Sequence, residues 1–145
     1  MQSFPHQYVA TASSSSTSLV SIATSGIEAI EVAPPPEFGG PEHQWSPEVL
    51  LMSAVSSCFI LSFRAIARAS NLEWISLECV SAGTLDKPER SVWFTDVEST
   101  ATLRVPPGVD QEKAKRLLER AEQTCFVSNT LKSKLHLKCQ ILEVN

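Results

Sequence analysis

The stretch SPEVLLMSAVSSCFILSFRAIARAS, Ser46–Ser70, decides the fold because it predicts one long apolar helix. Ser46 can cap free amides, Pro47 suits the first helical position because it has no N–H to leave unpaired, and Glu48 complements the positive end of the helix dipole. The part Val49–Ala67 is apolar on nearly every side, which is typical of a helix buried all round. A domain of this size rarely buries such a helix alone, so we expect a homodimer.

The residues before this helix predict a three-stranded meander. Tyr8–Ala12 and Ser18–Ala23 have the alternation and β-branched content of half-buried strands, and Ser13–Ser16 between them predicts a hairpin connection. A third strand, from Ile27 to Val32, ends before three prolines, which cannot donate to a strand ladder. The segment Pro34–Trp45 is then a loop that leads into the helix.

After the helix, the pattern changes to alternating strands and shorter amphipathic helices. The predicted elements are a strand from Trp74, a long strand Val92–Val105, a helix capped by Asp110 and ending near Thr124, a short helix Val127–Lys132, and a closing strand Leu135–Ile141. The order β-β-β, α, β-β, α, α, β predicts an α+β domain.

Length and composition predict one globular domain, residues 1–145. A hydrophobic content of 43% and a net charge of −4 are ordinary for a globular protein. The sequence has no cluster of basic residues that could bind phosphates, so nucleic acid is not an expected partner. No leader pattern and no apolar run of about 18 residues is present, so we expect no membrane span and a cytoplasmic location.

The four cysteines stand far apart, without a CxxC pair, and are judged one at a time. Cys79 alternates with apolar strand residues, as does Cys139, and core packing is the interpretation of both. Cys58 lies inside the apolar helix, where burial alone would raise the pKa of its thiol and make it inert, so a group outside this helix must activate it. Cys125 lies where a short helix begins, a position that favours the thiolate. Cysteines and histidines so scattered have no metal-ligand spacing.

Three stretches together carry a resemblance to a known family: PPPEFGGP at 34–41, SPEVLLMSAVSSCF at 46–59 and AEQTCFVSNTL at 121–131. In these stretches the chain resembles the OsmC/Ohr family of thiol-dependent organic hydroperoxide reductases. The family places a Pro-Glu pair ten residues before a Cys-Phe pair, which Glu48 and Cys58 match. It places a second cysteine, matched by Cys125, at an Ala-Glu helix end that is followed by a hydrophobic residue and a serine, matched by Ser128.

The resemblance implies an OsmC-like α+β fold, with antiparallel sheets around a long buried central helix, in an intertwined homodimer without a metal or organic cofactor. It implies a role in oxidative-stress defence, with Cys58 attacking an organic hydroperoxide and becoming a sulfenic acid. Cys125 would then form a disulfide with Cys58, which a dithiol reductant of the lipoyl type would reduce.

Around the cysteines, the resemblance implies a catalytic carboxylate at Glu48, paired in the family with an arginine. This chain has no lysine or arginine before Arg64, and His43 is the candidate to supply the charge, by pairing with Glu48 or by polarising Cys58 across the interface. Phe59 and Phe126 are candidates for an apolar substrate wall, with core packing as the equal alternative.

Two functions therefore stay open at this point. One is a peroxidase that cycles through a Cys58–Cys125 disulfide. The other is an OsmC-like protein that lacks peroxidase activity because the arginine is absent, and that binds a small molecule or uses Cys58 on another electrophile. Fast, Cys58-dependent disulfide formation on oxidation would distinguish the first from the second.

Overall fold

The helix that decides the fold begins at the predicted residue. The structure, a computed structural model, describes residues 2–145. Helix α1 spans Pro47–Ala69, and the Ser46 hydroxyl accepts a hydrogen bond from the Val49 amide at 3.3 Å. The predicted cap and first residue are therefore confirmed.

The other helices and strands follow the predicted order. The strands are β1 (Thr11–Ser13), β2 (Val20–Thr24), β3 (Ile27–Val32), β4 (Ser76–Asp86), β5 (Trp93–Val105) and β6 (Lys134–Glu143), and the helices are a 3-10 turn (Pro36–Phe38), α2 (Gln111–Gln123) and α3 (Phe126–Thr130). The α+β class is confirmed. The chain divides into two compact units at Leu50, described separately below, and the single domain 1–145 stays a prediction.

The first unit is the predicted meander with its return loop. Strands β1, β2 and β3 pair in sequence, each antiparallel to the next. The chain turns between β2 and β3 at Gly26, whose φ of 75° suits a residue without a Cβ. After the prolines, the loop comes back to the sheet, where the Ala33 amide donates to the Trp45 carbonyl at 2.9 Å. This contact brings Ser46 to the place where α1 begins.

The second unit contains a three-stranded sheet in the order β4-β5-β6. Strands β4 and β5 form a long antiparallel hairpin, but β6 runs parallel to β5. The expectation of purely antiparallel sheets is therefore wrong for this pair. A parallel neighbour needs a long crossover connection, and the chain between β5 and β6 supplies one because it contains α2 and α3.

The core of the second unit lies between the sheet, α1 and α2. Helix α1 contributes Phe59, Phe63 and Ala67. The rings of Phe63 and Trp74 pack edge to face, with 5.5 Å between their centroids. The remaining core residues are Leu72, Ala101, Leu103, Val105, Ala114, Leu117, Leu118 and Ala121. Helix α1 is thus anchored by residues at helical spacing along one face.

Helix α1 is less buried in the single chain than its sequence predicts. Its buried residues are Val55, Phe59, Phe63 and Ala67, whereas Leu61 is 58% exposed. In the single chain its core packing covers one stripe only, so burial on all sides would need the homodimer that the sequence predicts. By length and hydropathy α1 could cross a membrane, contrary to the expectation that no such segment exists. Its packing makes it the core helix of the second unit.

Candidate thiol site

Cys58 lies on α1, one residue before the buried Phe59, and its side chain is partly exposed. Ser62 follows one helical turn later, so its side chain lies on the same face of the helix. The Ser62 hydroxyl acts to lower the pKa of the Cys58 thiol. The cysteine is therefore neither enclosed in the core nor without polar neighbours.

Helix α3 brings the second cysteine to Cys58. Cys125 is the N-cap of α3, with an extended backbone at φ −68° and ψ 112°. The first amides of a helix have no carbonyl partner within the helix. The backbone amides of Val127 and Phe126 in α3 and the Cys125 thiol all act to lower the pKa of the Cys58 thiol. All three groups come from one short turn of chain.

These contacts decide the acidity of Cys58. Burial acts to raise the pKa of its thiol, but the hydrogen bonds from the Val127 amide, the Cys125 thiol, the Phe126 amide and the Ser62 hydroxyl together outweigh it, so the pKa lies below its usual value of 9.0. Burial alone therefore does not decide the pKa of Cys58, and the activation expected from outside α1 comes from residues of α3 and its N-cap. The sequence places this thiol in an apolar helix, but it does not reveal which amides meet it.

Cys125 has the opposite character. Its side chain is fully buried, and burial raises the pKa of its thiol, although the Ser128 hydroxyl, which donates to the Cys125 sulfur at 3.2 Å, acts to lower it. The expectation that the start of α3 favours the Cys125 thiolate is wrong, because burial outweighs the hydroxyl and the amide of Ser128, which both act to lower its pKa. Both cysteines are free thiols in this structure.

The other two cysteines pack against the core, as predicted. Burial raises the pKa of Cys79, and it raises the pKa of Cys139 to about 11. Among residues 2–145, no group of three or more histidine, cysteine, aspartate or glutamate side chains is placed to hold a metal ion. Cys58 and Cys125 thus act on each other's thiols, whereas Cys79 and Cys139 pack against the core.

Two candidate residues of the site belong to the first unit. The side chain of His43 is 95% exposed and lies 3.9 Å from a carboxylate oxygen of Glu42, so the predicted pair with Glu48 does not form within the chain. Glu48 itself has a buried carboxylate oxygen, Oε2, without a hydrogen-bond partner among the described residues. A contact of either residue with Cys58 across a dimer interface stays a prediction.

The two phenylalanines have different surroundings. Phe59 is buried in the core cluster, so the core-packing alternative holds for it. Phe126 is 76% exposed at the first position of α3, directly after Cys125. Sequence reasoning did not select Ser62 as a site residue, although its position four residues after Cys58 in a predicted helix is a signal for it.

Comparison with known proteins shows the family of this chain. A sequence profile of the OsmC-like protein family matches residues 39–140, a range that contains both cysteines of the site. The chain belongs to the OsmC-like protein family. A curated relative is the uncharacterized protein YmaD of Bacillus subtilis, 22% identical over 109 residues, which are 73% of either chain.

Solved structures have the same OsmC-like fold. An OsmC-like protein of unknown function from Vibrio cholerae superposes with a TM-score of 0.82 at 17% identity, covering 93% of this chain and 99% of its own. An organic hydroperoxide resistance protein from Elizabethkingia anophelis superposes with a TM-score of 0.74 at 22% identity, covering 97% of this chain and 100% of its own. An organic hydroperoxide resistance protein from Legionella pneumophila superposes with a TM-score of 0.73 at 20% identity, covering 98% of this chain and 100% of its own. At these identities the likeness establishes the OsmC-like fold, and the family suggests a peroxide-related redox function.

Proposed function

We propose that the chain is a thiol-dependent peroxidase that reduces organic hydroperoxides through a Cys58–Cys125 sulfenate and disulfide cycle. The observation that supports it best is the pairing of two thiols of opposite character. Cys58 is partly exposed and its pKa is lowered, whereas the neighbouring Cys125 is buried and its pKa is raised. The thiolate is the nucleophile in such chemistry, so Cys58 is the thiol suited to attack.

In the first step, the Cys58 thiolate attacks the distal oxygen of the hydroperoxide. The O–O bond breaks, the alkoxide takes up a proton and leaves as an alcohol, and Cys58 becomes a sulfenic acid. The exposed ring of Phe126 beside Cys125 offers an apolar contact for the alkyl group. The amides of Phe126 and Val127, which hold the thiolate, favour the charged form before the reaction.

In the second step, the sulfur of Cys125 attacks the sulfenic sulfur of Cys58 and releases water, forming the disulfide. A dithiol then reduces this disulfide by exchange, ending as its own cyclic disulfide and restoring both thiols. One hydroperoxide and one dithiol thus give an alcohol, water and an oxidised dithiol. A reductant of the lipoyl type, a homodimer, a cytoplasmic location and a role in oxidative-stress defence belong to the same proposal.

The test is stopped-flow oxidation of the fully reduced protein by cumene hydroperoxide, followed by mass analysis without reduction. We expect fast formation of a Cys58–Cys125 disulfide that is abolished in Cys58→Ser. The variant Cys139→Ser is the matched control, because it also removes one thiol and should react like the parent protein. Slow oxidation spread over all four cysteines would contradict the proposal.

One observation favours the second candidate function, an OsmC-like protein without peroxidase activity. The chain has no lysine or arginine before Arg64, so the guanidinium of the family's peroxidases has no counterpart there. In this alternative, the protein binds a small molecule or uses Cys58 on another electrophile. Rapid alkylation of Cys58 combined with slow oxidation by hydroperoxide would support this alternative.

A further inference from the structure

A pocket of about 430 Å³ lies within the first unit, between the meander, the proline-rich loop and the start of α1. Apolar side chains line it, among them Ile22, Val32 and Phe38, and Glu48 is the only ionisable residue of the lining. Pockets that bind small molecules have this size and character, with few polar groups in an apolar wall. None of the four cysteines lines it.

The carboxylate of Glu48 is not satisfied in this pocket. Its Oε2 atom is buried, and no donor among residues 2–145 reaches it. The amides of Val49 and Leu50 at the start of the helix do not donate to this oxygen. The Val49 amide donates to the Ser46 hydroxyl, and the Leu50 amide donates to the Ser46 carbonyl. A buried carboxylate oxygen without a donor is unfavourable, and in native proteins such a group is normally paired.

Residues 2–50, the described part of the first unit, include no lysine or arginine that could pair with this oxygen. Residues 1–63 include no lysine or arginine, while glutamates occur at positions 28, 31, 37, 42 and 48. The side chain of His43 is solvent-exposed and lies beside Glu42. The charge around the pocket is therefore of one sign, which selects against an anionic ligand and in favour of a cationic one.

We propose that this pocket binds a small organic cation, an amine or amidine with an apolar body, whose N–H groups donate to Glu48 Oε2. The apolar body would contact the side chains of Ile22, Val32 and Phe38, which leaves the cationic end to the one carboxylate. A charge-assisted hydrogen bond in an apolar wall gives both affinity and orientation. The resemblance also places Glu48 in the thiol site, but no thiol lines this pocket, so failure of cation binding would leave the Cys58–Cys125 cycle untouched.

Three probes of equal size and different charge test it: benzamidine as the cation, benzamide as the neutral form and benzoate as the anion. Each is titrated into the full chain and followed by amide NMR shifts. We expect saturable benzamidine binding, with shifts at Ala12, Val32 and Phe38, and at least about tenfold weaker binding of the other two probes. The variant Glu48→Gln, which keeps the shape of the side chain, should weaken benzamidine binding by about tenfold or more.

Two further variants are the controls. Glu37→Gln removes a carboxylate from an exposed position of the same unit and should leave benzamidine binding unchanged. Ala12→Phe enlarges an exposed strand residue that lines the pocket and should abolish binding of the probes while Glu48 remains. Lack of saturable binding, equal benzamidine binding in Glu48→Gln, or shifts that map outside the pocket would each overturn the proposal. So would a second copy of the chain that occupies the pocket and excludes benzamidine.

Discussion

Ser62 lies one helical turn beyond Cys58, and its hydroxyl is one of the groups that lower the pKa of that thiol. Replacing it in Ser62→Ala removes a donor to the sulfur, so the pKa of Cys58 should rise. The thiolate forms as the pH rises through the pKa, and a higher pKa therefore leaves less thiolate at pH 7. We expect alkylation of Cys58 by iodoacetamide at pH 7 to slow by about two- to fivefold, since a full pKa unit would be about tenfold.

Ser57 provides the matched control for this variant. Its hydroxyl lies on the same helix but donates to the Ser53 carbonyl at 2.7 Å, not to a sulfur. The variant Ser57→Ala should therefore leave the alkylation rate of Cys58 unchanged. Equal slowing in both variants would mean that the effect comes from the helix and not from the Ser62 hydroxyl.

Ser128 acts on the other sulfur of the pair. Because Cys125 is fully buried, a reductant can reach the disulfide only at Cys58, so Cys125 must leave as a thiolate. The Ser128 hydroxyl, 3.2 Å from the Cys125 sulfur, stabilises that leaving thiolate. In Ser128→Ala the pKa of Cys125 should rise further, and reduction of the disulfide by dihydrolipoamide should slow by about three- to tenfold while the oxidation of Cys58 keeps its rate.

Thr130 is the comparison residue for Ser128. It is also on α3, but its hydroxyl donates to the Val127 carbonyl at 2.6 Å and touches neither cysteine. In Thr130→Val both half-reactions should keep their rates. A loss confined to the oxidation step in Ser128→Ala would contradict the assignment of this hydroxyl to the leaving thiolate.

At the level of elements, α2 depends on its cap. The Asp110 carboxylate accepts a hydrogen bond from the Lys113 amide at 2.9 Å, and the helix then buries Leu118 and Ala121 in the core. The change Asp110→Ala should lower the free energy of unfolding by about 1 kcal/mol, the usual effect of losing an N-cap. Urea denaturation measures it, and Asp110→Asn, which keeps an accepting oxygen, should lose less than half of that amount.

The elements also show how far local sequence patterns carry. The boundaries of α1 and α2 were predictable because Ser46, Pro47 and Asp110 are local start signals. The parallel pairing of β6 with β5 was not, because an alternating strand has the same pattern beside a parallel or an antiparallel neighbour. Pairing is decided by the path of the whole crossover, which no local window contains.

The same limit applies to the candidate site. The sequence motifs point to Cys58 and Cys125, and the fold brings these two thiols together. The expectation that the start of α3 favours the Cys125 thiolate was wrong, because burial of that thiol outweighs the groups of Ser128, while the amides of Phe126 and Val127 lower the pKa of Cys58. Burial and the direction of these amides follow from tertiary packing, and the residue types of the turn do not encode them.

For the whole molecule, the exposed face of α1 is the feature that remains to be explained. Leu61 is 58% exposed and Val49 is 48% exposed, on a helix that contributes Phe59 and Phe63 to the core. We expect a homodimer that covers these side chains, because exposed large apolar residues on a core helix are unfavourable in water. Light scattering after size exclusion should give twice the chain mass.

The variant Leu61→Glu tests this dimer. A charge placed in an apolar interface should shift the protein toward monomer by at least about tenfold in the dissociation constant. Glu112→Lys changes the charge at an exposed position of α2 and should leave the dimer intact. A parent protein that is monomeric at micromolar concentration would contradict the expectation.

The way in which α3 holds Cys58 has a consequence for the effect of ionic strength. A thiolate paired with an exposed cation is weakened by dissolved salt, since the Debye length is about 8 Å at 0.15 M and about 3 Å at 1 M. The amides of Phe126 and Val127 carry no net charge and hydrogen-bond the sulfur directly. The acidity of Cys58 should therefore persist in concentrated salt, where a thiol that depends on an exposed cation would lose part of its thiolate.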